Sequence, residues 1–286
     1  MRSLIITLLA LWLLPAVTLA LPVPVCQDVR ARKLSPTFKK EHLVIRDIET
    51  GEYDEEEGKR LRADSEAYPK KKSDLIHITQ VVRRVLGKDT PWALFGGFAF
   101  VLYGEPNRHT ADLDVVVQTS LPNLIKLLKK DPNFIIPSEE MYTKSRNMRT
   151  YYKWKNEIFQ VDFNIPGISK VWKAQDIRDI IQETYVQTSD QKSALVYLIR
   201  LDVTFKSKCR TLTDLNRMKD TDMQDISWII KNHPDAVAAA KDMIPIEWRR
   251  LVISRLNRMG SPLVGKAEQL LGLDEEAETS DSSRSS

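Results

Sequence analysis

Cysteine is nearly absent from this chain, which holds only Cys26 and Cys209 among its 286 residues. Two cysteines exclude a fold that is held together by a disulfide framework. In an oxidising compartment they could form a single bridge between the N-terminal part of the chain and a later helix. The alternative is two unpaired thiols, and the sequence leaves both open.

An excess of charge of one sign is also missing. The chain has 43 Lys and Arg residues and 39 Asp and Glu residues, which gives a net charge of +4 at pH 7. A dedicated nucleic-acid-binding protein concentrates more basic charge, so the composition does not support nucleic acid as a partner. The four histidines are scattered without the spacing of a zinc site, and no Gly-x-Ser-x-Gly motif indicates a covalent hydrolase.

Long apolar runs are lacking after residue 20, and the one at the start has a specific order. Arg2 precedes the apolar stretch Leu4–Leu14, then come Pro15 and small residues near Ala20. This order is typical of a secretory signal peptide over residues 1–20. A membrane anchor is the alternative, but the run is shorter than the ~20 apolar residues that a bilayer span needs. We expect a secreted protein without stable membrane association once the signal is removed.

Composition divides the rest of the chain into four parts. Residues 21–72 are Pro-containing and then strongly charged, and are interpreted as an arm or linker with a short strand at EHLVIRDIE. Residues 73–167 carry the signals of a folded core, and residues 168–272 are helical in pattern. The acidic, Ser-rich residues 273–286 are expected to be disordered. The predicted fold class is α+β, with a small mixed sheet flanked by helices and followed by a helical half.

Hydrophobic periodicity places the elements of the core. SDLIHITQVVRRVLGK predicts a helix capped by Ser73 and ended by Gly87, and GFAFVLYG a short helix bounded by glycines. PWALFGG and DLDVVVQT predict buried strands, and LPNLIKLLKKD an amphipathic helix. RTYYKW and IFQVDFNI predict a hairpin closed by KNE. SALVYLIRLDVTFKSK, DTDMQDISWIIKNH and PIEWRRLVISRLNRM predict the helices of the second half.

Two glycines and three aspartates in the core indicate phosphate chemistry. Gly96 and Gly97 stand between a strand and a helix, where backbone N–H groups can approach a phosphate closely. Asp112 and Asp114 are two residues apart on a strand, so both side chains point to one face. Asp162 lies on a later strand and could supply a third carboxylate. Carboxylates grouped in this way suit Mg²⁺ that also binds substrate phosphates.

The pattern GGFAFVLYG, RHTADLDVVV and VDFNI resembles the nucleotidyltransferase superfamily with its polymerase-beta-like fold. The similarity extends to the small proteins exemplified by AbiEii-like toxins and aminoglycoside adenylyltransferases. It covers residues 73–230 and matches the superfamily at seven positions: Gly96, Gly97, Arg108, Thr110, Asp112, Asp114 and Asp162. In the helical half, Lys219, Asp220 and Asp225 match a Lys-Asp…Asp helix, and Arg200 stands where relatives place a lysine.

The resemblance implies a role for each matched position. Asp112, Asp114 and Asp162 would be both the catalytic residues and the ligands of Mg²⁺ or Mn²⁺, with Asp162 helping to deprotonate the attacking hydroxyl. Gly96, Gly97, Arg108, Thr110 and Lys219 would bind the nucleoside triphosphate, such as ATP. The residues themselves leave alternatives for three of these positions: Arg108 could pair with a nearby acid, Thr110 could cap the approach to the strand, and Lys219 could be an exposed charge at a helix start. The implied activity is transfer of a nucleoside monophosphate from the triphosphate to an acceptor hydroxyl. Secretion suggests an alternative with the same fold, a secreted effector or nucleotide-binding module with little or no catalysis.

Overall fold

The computed structural model describes residues 51–67, 70–144, 147–168, 176–188, 190–213 and 219–274, which all belong to one unit spanning residues 45–286. The predicted signal peptide, Cys26, the strand predicted at EHLVIRDIE and the acidic tail beyond residue 274 lie outside these ranges. No helix within them is both long enough and apolar enough to cross a membrane.

A mixed β-sheet forms the centre of the described part of the chain. Its strands lie in the spatial order β1-β4-β5-β6-β3-β2-β8-β7. Three neighbouring pairs are parallel, β1 with β4, β3 with β6 and β2 with β8, and the other pairs are antiparallel. The strands are β1 (Glu52–Tyr53), β2 (Trp92–Phe95), β3 (Asp112–Val117), β4 (Phe134–Pro137), β5 (Met148–Trp154), β6 (Glu157–Asn164), β7 (Ile181–Gln187) and β8 (Ser193–Ile199).

Helices flank the sheet and continue beyond it. They are α1 (Glu55–Glu66), α2 (Lys72–Leu86), α3 (Gly96–Tyr103), α4 (Leu121–Leu128), α5 (Glu139–Lys144), α6 (Leu201–Thr211), α7 (Asp220–Asn232), α8 (Pro234–Ala240), α9 (Ile246–Arg258) and α10 (Val264–Leu271). Short 3₁₀ turns occupy Ile177–Ile180 and Lys241–Met243. The α+β class and the mixed sheet agree with the prediction from the sequence.

The helix α2 covers the sheet with the apolar face that its periodicity predicts. Leu75, Ile78, Val82 and Val85 are all buried in the main core, beside strand residues and α4. Gly87 ends the helix with a φ of 76°, as predicted. The prediction of Ser73 as the N-cap is wrong. The helix begins at Lys72, so Ser73 lies inside it, and the N-cap residue is Lys71, whose side chain makes no capping hydrogen bond.

Local signals also place the elements around the glycines and the hairpin. The strand β2 ends at Phe95, α3 begins at Gly96, and Gly104 in the left-handed conformation ends α3. The hairpin of β5 and β6 closes at Lys155 and Asn156, whose φ angles are 49° and 62°. Two successive positive φ angles are the property of a type I′ turn, which matches the twist of the flanking strands.

Two parts of the chain differ from the prediction. Residues 51–66, assigned to the charged arm, form β1 and α1, because Tyr53 and Leu61 are buried against β5 and β6 although most of α1 is exposed and charged. Within residues 168–272, which the pattern predicts as helical, β7 and β8 form an antiparallel pair on the sheet. The strand β8, with the sequence SALVYLI, lies between β2 and β7, and an unbroken apolar run of this length does not distinguish a strand from a helix by its period.

The helices after β8 enclose a second core. Buried side chains from α6 to α10 pack together there, and Phe100 of α3 joins them, so the core reaches back to the glycine-bounded helix. Cys209 lies inside this core, has no disulfide partner among the described residues, and burial raises the pKa of its thiol. A buried thiol in apolar surroundings is inert.

Candidate active site

A cavity of about 640 Å³ opens where β3 and β6 meet the start of α3 and the helices α6 and α7. The eight residues to which the resemblance assigns a role in binding or catalysis all line it: Gly96, Gly97, Arg108, Thr110, Asp112, Asp114, Asp162 and Lys219. The structure therefore brings together residues that are up to 123 positions apart (Gly96 to Lys219). Their roles in binding and catalysis stay predictions.

The parallel pairing of β3 and β6 brings the three aspartates together. Asp114 is the register partner of Asp162, and Asp112 lies opposite Gln160. Since residues two apart on a strand share a face, the three carboxylates point to the same side of the sheet. Burial raises the pKa of Asp162, and the negative charge of Asp112 adds to this effect while Arg149 opposes it.

Gly96 and Gly97 lie so close to neighbouring side chains that a larger residue would collide with them. Gly96 has a φ of 67°, and a Cβ atom placed on it would overlap the carboxylate of Asp114. A Cβ atom on Gly97 would lie 2.7 Å from Oγ1 of Thr110 and 3.3 Å from Nη2 of Arg108. The first turn of α3 thus lies directly against the predicted binding residues. Its backbone N–H groups have no partner within the helix and can bind an anion there.

Thr110 orients the first carboxylate. Its hydroxyl donates a hydrogen bond of 2.7 Å to Oδ1 of Asp112, which fixes that carboxylate at the entrance of β3. Thr110, which the resemblance assigns to triphosphate binding, therefore also holds the carboxylate of Asp112 in place. Thr110 lies between Gly97 and Asp112, so one hydroxyl connects the glycine bend with the carboxylates.

Arg108 is anchored to the helical half. Its Nε atom lies 3.1 Å from Oδ1 of Asp225, whose side chain is completely buried. Its Nη1 atom donates a hydrogen bond of 3.1 Å to the carbonyl of His109. The guanidinium still lines the cavity, so it can contact a phosphate while Asp225 holds its inner edge.

Lys208 is a cation of the site that sequence reasoning missed. Its Nζ atom lies 2.6 Å from Oδ1 of Asp222 and 2.6 Å from Oδ2 of Asp225, and its side chain is mostly buried in the cavity wall. The two ion pairs of Asp225, with Arg108 and with Lys208, are not hydrogen bonds and act as electrostatic contacts. Nothing in the stretch VTFKSKCR marks Lys208 beside Lys206, and only the packing of α6 on α7 distinguishes them.

The two remaining predicted cations differ in position. Lys219 precedes α7 and lines the cavity, as its match predicts. Arg200, matched to a lysine of the relatives, is instead paired with Asp202 through a hydrogen bond of 2.6 Å and is not among the residues that line the cavity. Lys208, eight residues later, is the α6 cation that does line it.

Arg149 forms an ion pair with the third carboxylate, that of Asp162. It donates hydrogen bonds of 3.0 and 3.2 Å to the two carboxylate oxygens of Asp162, and Gln160 donates one of 3.0 Å to Oδ2. This bidentate pair stabilises the ionised form of Asp162. The sequence gives no sign of it, because Arg149 and Asp162 meet only through the register of β5 and β6.

The donor chemistry can be tested against a divalent cation. Asp112 and Asp114 offer carboxylate oxygens to the cavity, which suits Mg²⁺ or Mn²⁺ held jointly by protein and phosphates. In the described residues no group of three or more His, Cys, Asp or Glu side chains is arranged to hold a metal. Arg149 and Gln160 both engage Asp162, so the carboxylates that fit a divalent cation here are the two of Asp112 and Asp114.

Comparison with known proteins gives structural matches alone. No family model matches the chain, and no curated protein matches it. JHP933 from Helicobacter pylori is 15% identical with a TM-score of 0.38, covering 74% of this chain and 99% of its own. An H. pylori protein assigned as a nucleotidyltransferase is 15% identical with a TM-score of 0.41, covering 70% and 91%.

A third solved structure is the antibiotic-resistance factor ANT(2'')-Ia, 11% identical with a TM-score of 0.34 over 73% of this chain and 97% of its own. All three TM-scores lie below 0.5, so none of these similarities identifies the fold of this chain. Superpositions at such TM-scores add no weight to a functional assignment. The side chains of this protein must carry it.

Proposed function

We propose that the protein is a metal-dependent nucleotidyltransferase, which moves a nucleoside monophosphate from a nucleoside triphosphate to an acceptor hydroxyl. The observation that carries this proposal is the register Asp114 opposite Asp162, which sets three carboxylates beside the glycine bend of Gly96 and Gly97. Phosphate-binding backbone and metal-binding carboxylates are the two parts that this reaction needs.

In this proposal most residues of the site bind the metal and the triphosphate, and one residue accepts a proton. Asp112 and Asp114 would hold Mg²⁺ or Mn²⁺, which when bound supplies charge neutralisation for the phosphates. Gly96 and Gly97 offer backbone N–H groups to the triphosphate. Arg108, Lys208 and Lys219 line the same cavity and place positive charge around it. Positive groups fixed in advance stabilise the charge that develops during phosphoryl transfer.

The proposed reaction balances without any further reactant. The oxygen of the acceptor hydroxyl forms a bond to the α-phosphorus while the bond from that phosphorus to the bridging oxygen breaks. Pyrophosphate leaves with the bonding electrons, and the hydroxyl proton passes to the carboxylate of Asp162. Ionised Asp162 can accept this proton because Arg149 favours its charged form against the effect of burial.

An acceptor screen with α-labelled triphosphates tests the proposal. Small molecules, RNA and protein acceptors are each incubated with the protein and Mg²⁺ or Mn²⁺, and label in the acceptor is counted. We expect Asp112→Asn to abolish transfer while the thermal unfolding midpoint changes little, since Asp112 is only partly buried. Asp235→Asn, an exposed aspartate of α8, is the control and should transfer normally. Equal transfer by Asp112→Asn and the unmodified chain would contradict the proposal.

One observation favours a second candidate, a nucleotide-binding module or secreted effector with little catalysis. Arg149 neutralises Asp162 in a bidentate pair, so the proposed proton acceptor is engaged. Calorimetry with ATP, GTP and Mg²⁺ separates the two candidates. Tight metal-dependent binding without incorporation into any acceptor supports the module, and incorporation supports the enzyme.

A further inference from the structure

A second cavity adjoins the candidate active site. It has a volume of about 480 Å³, within the range of small-molecule pockets. It shares Arg62, Arg149 and Asp162 with the first cavity, so the Arg149–Asp162 pair forms a common wall. Its other walls come from β1, α1, α5 and β5, and we call it the α1 cavity. The segment that builds it, residues 51–66, is the part that the sequence presents as a linker.

The walls of the α1 cavity are held in place by specific contacts. The hydroxyl of Tyr53 donates a hydrogen bond of 2.8 Å to the carbonyl of Arg149, and that of Tyr151 donates one of 3.2 Å to the carbonyl of Gly58. The two tyrosine rings meet edge to face with centroids 5.4 Å apart. A Cβ atom on Gly58 would lie 2.8 Å from the Tyr53 ring, so a glycine there lets α1 approach closely. These contacts hold β1, α1 and β5 together and so fix the shape of the cavity.

The charges of the α1 cavity are mainly positive. Its lining includes three cations, Lys59, Arg62 and Arg149, and two acids, Glu55 and Asp162. Lys59 pairs with Glu56 at 2.7 Å and with Glu55 at 3.4 Å, and Arg62 pairs with Glu66 at 2.9 Å, but all five side chains are more than half exposed. Exposed ion pairs contribute little, so an anionic ligand can replace these glutamates at small cost.

We propose that the α1 cavity binds the acceptor, and that the acceptor is a small hydroxyl compound carrying an anionic group such as a phosphate or carboxylate. This inference rests on the proposed function. The anionic group is bound by Lys59 and Arg62, and the hydroxyl is presented to Asp162 at the common wall. The triphosphate occupies the cavity of the glycine bend on the side of Asp112 and Asp114. Asp162 is the carboxylate that reaches both.

Binding of ribose 5-phosphate to the full chain tests the inference. The sugar phosphate is titrated while α,β-methylene-ATP and Mg²⁺ saturate the first cavity, and D-ribose serves as the neutral comparison. Lys59→Glu reverses one charge of the α1 cavity, and Lys59 does not line the first cavity. Arg60→Glu makes the same change at the next residue of α1, which is exposed and lies outside both cavities.

We expect saturable binding of ribose 5-phosphate, weaker binding of D-ribose, and a loss of about threefold in affinity for Lys59→Glu, the size of one exposed ion pair. Arg60→Glu should bind like the unmodified chain. No binding, or equal weakening by both variants, would overturn the inference. The affinity for α,β-methylene-ATP with Mg²⁺, measured alone in the same variants, reports on the proposed function separately. Ribose 5-phosphate bound by a chain that does not bind the analogue would overturn the acceptor role.

Discussion

At the scale of single residues, Gly96 shows most clearly how the backbone serves the site. It combines a φ of 67° with direct approach to the carboxylate of Asp114. Alanine there would have to adopt a left-handed conformation and displace that carboxylate. Gly104 has a φ of 97° but nothing within 4 Å of a Cβ atom placed on it. Comparing the two glycines therefore distinguishes the cost of the left-handed backbone from the effect of a collision with Asp114.

We predict that Gly96→Ala and Gly104→Ala each lose about 1–2 kcal/mol of stability, the cost of a left-handed non-glycine residue. Only Gly96→Ala should also lose nucleotide binding, because the added methyl moves Asp114. Thermal unfolding gives the first quantity, and calorimetry with α,β-methylene-ATP and Mg²⁺ gives the second. Normal binding by Gly96→Ala would show that the bend does not position the carboxylate.

Arg149 allows a prediction about pH. Burial raises the pKa of Asp162, and Arg149 is the main group that lowers it. Removing Arg149 therefore raises this pKa further. Since the proposed mechanism uses the ionised carboxylate as the proton acceptor, transfer by Arg149→Met should fail at a higher pH on acidification than transfer by the unmodified chain.

The pH dependence of transfer rate, measured with an acceptor found by the screen, checks this prediction. The position of the acidic limb is compared, so a lower maximal rate does not affect the result. Arg200→Met is the control, because it removes an arginine from a carboxylate pair outside the cavity. An acidic limb of Arg149→Met that stays in place or moves to lower pH would contradict the role of Arg149.

At the scale of elements, the helices α6 and α7 are joined to the sheet by one buried ion cluster. Lys208 of α6 contacts Asp222 and Asp225 of α7, and Arg108, from the segment between α3 and β3, contacts Asp225 as well. The side chain of Asp225 is fully buried. A buried charge that loses a partner destabilises a protein far more than an exposed one.

We predict that Lys208→Met lowers the free energy of unfolding by about 3 kcal/mol, the lower end of the cost of breaking a buried pair. Urea unfolding at pH 7 measures it. Lys206→Met removes the same charge from the same helix outside the cluster and should change stability little. Adding Asp225→Asn to Lys208→Met should recover part of the loss, and a further loss of similar size would exclude the electrostatic explanation.

The elements also show what the sequence can and cannot predict. The unit of β2, α3 and β3 and the hairpin of β5 and β6 were predictable, because glycines, β-branched runs and a short turn mark their ends. The sequence pattern also singled out eight residues that line one cavity. The strand β8 was missed because SALVYLI continues without a break into the helical VTFKSK, and α1 because its buried face is small. Arg149 and Lys208 could not be predicted, since only strand register and helix packing bring them to the site.

At the scale of the whole molecule, the candidate active site lies between two cores. The main core holds the sheet with α2 and α4, and the second holds the helices from α6 onward with Phe100 of α3. The cavity takes Asp112, Asp114 and Asp162 from the strands, and it takes Arg108, Lys208 and Lys219 from the segment before β3, from α6 and from the residue before α7. We therefore expect binding of the proposed triphosphate to depend on both cores being assembled.

The first 20 residues lead to a prediction about the mature protein. If they form a signal peptide, the exported chain begins at Leu21. Expression with a C-terminal tag, followed by fractionation and mass spectrometry of the N-terminal peptide, measures this. Replacing Leu8 and Leu9 by arginines should keep the protein inside the cell with residues 1–20 attached, because the apolar run is interrupted. A tagged chain that stays in the cytosol with Met1 intact would contradict secretion.

The central claim is that the aspartates beside the glycine bend bind a metal–triphosphate complex. Calorimetric titration of the full chain with α,β-methylene-ATP, with and without Mg²⁺, tests it most directly. We predict saturable binding that requires Mg²⁺, is lost in Asp112→Asn and Asp114→Asn, and is retained in Asp235→Asn. Binding that is independent of Mg²⁺ and equal in all four proteins would contradict the claim.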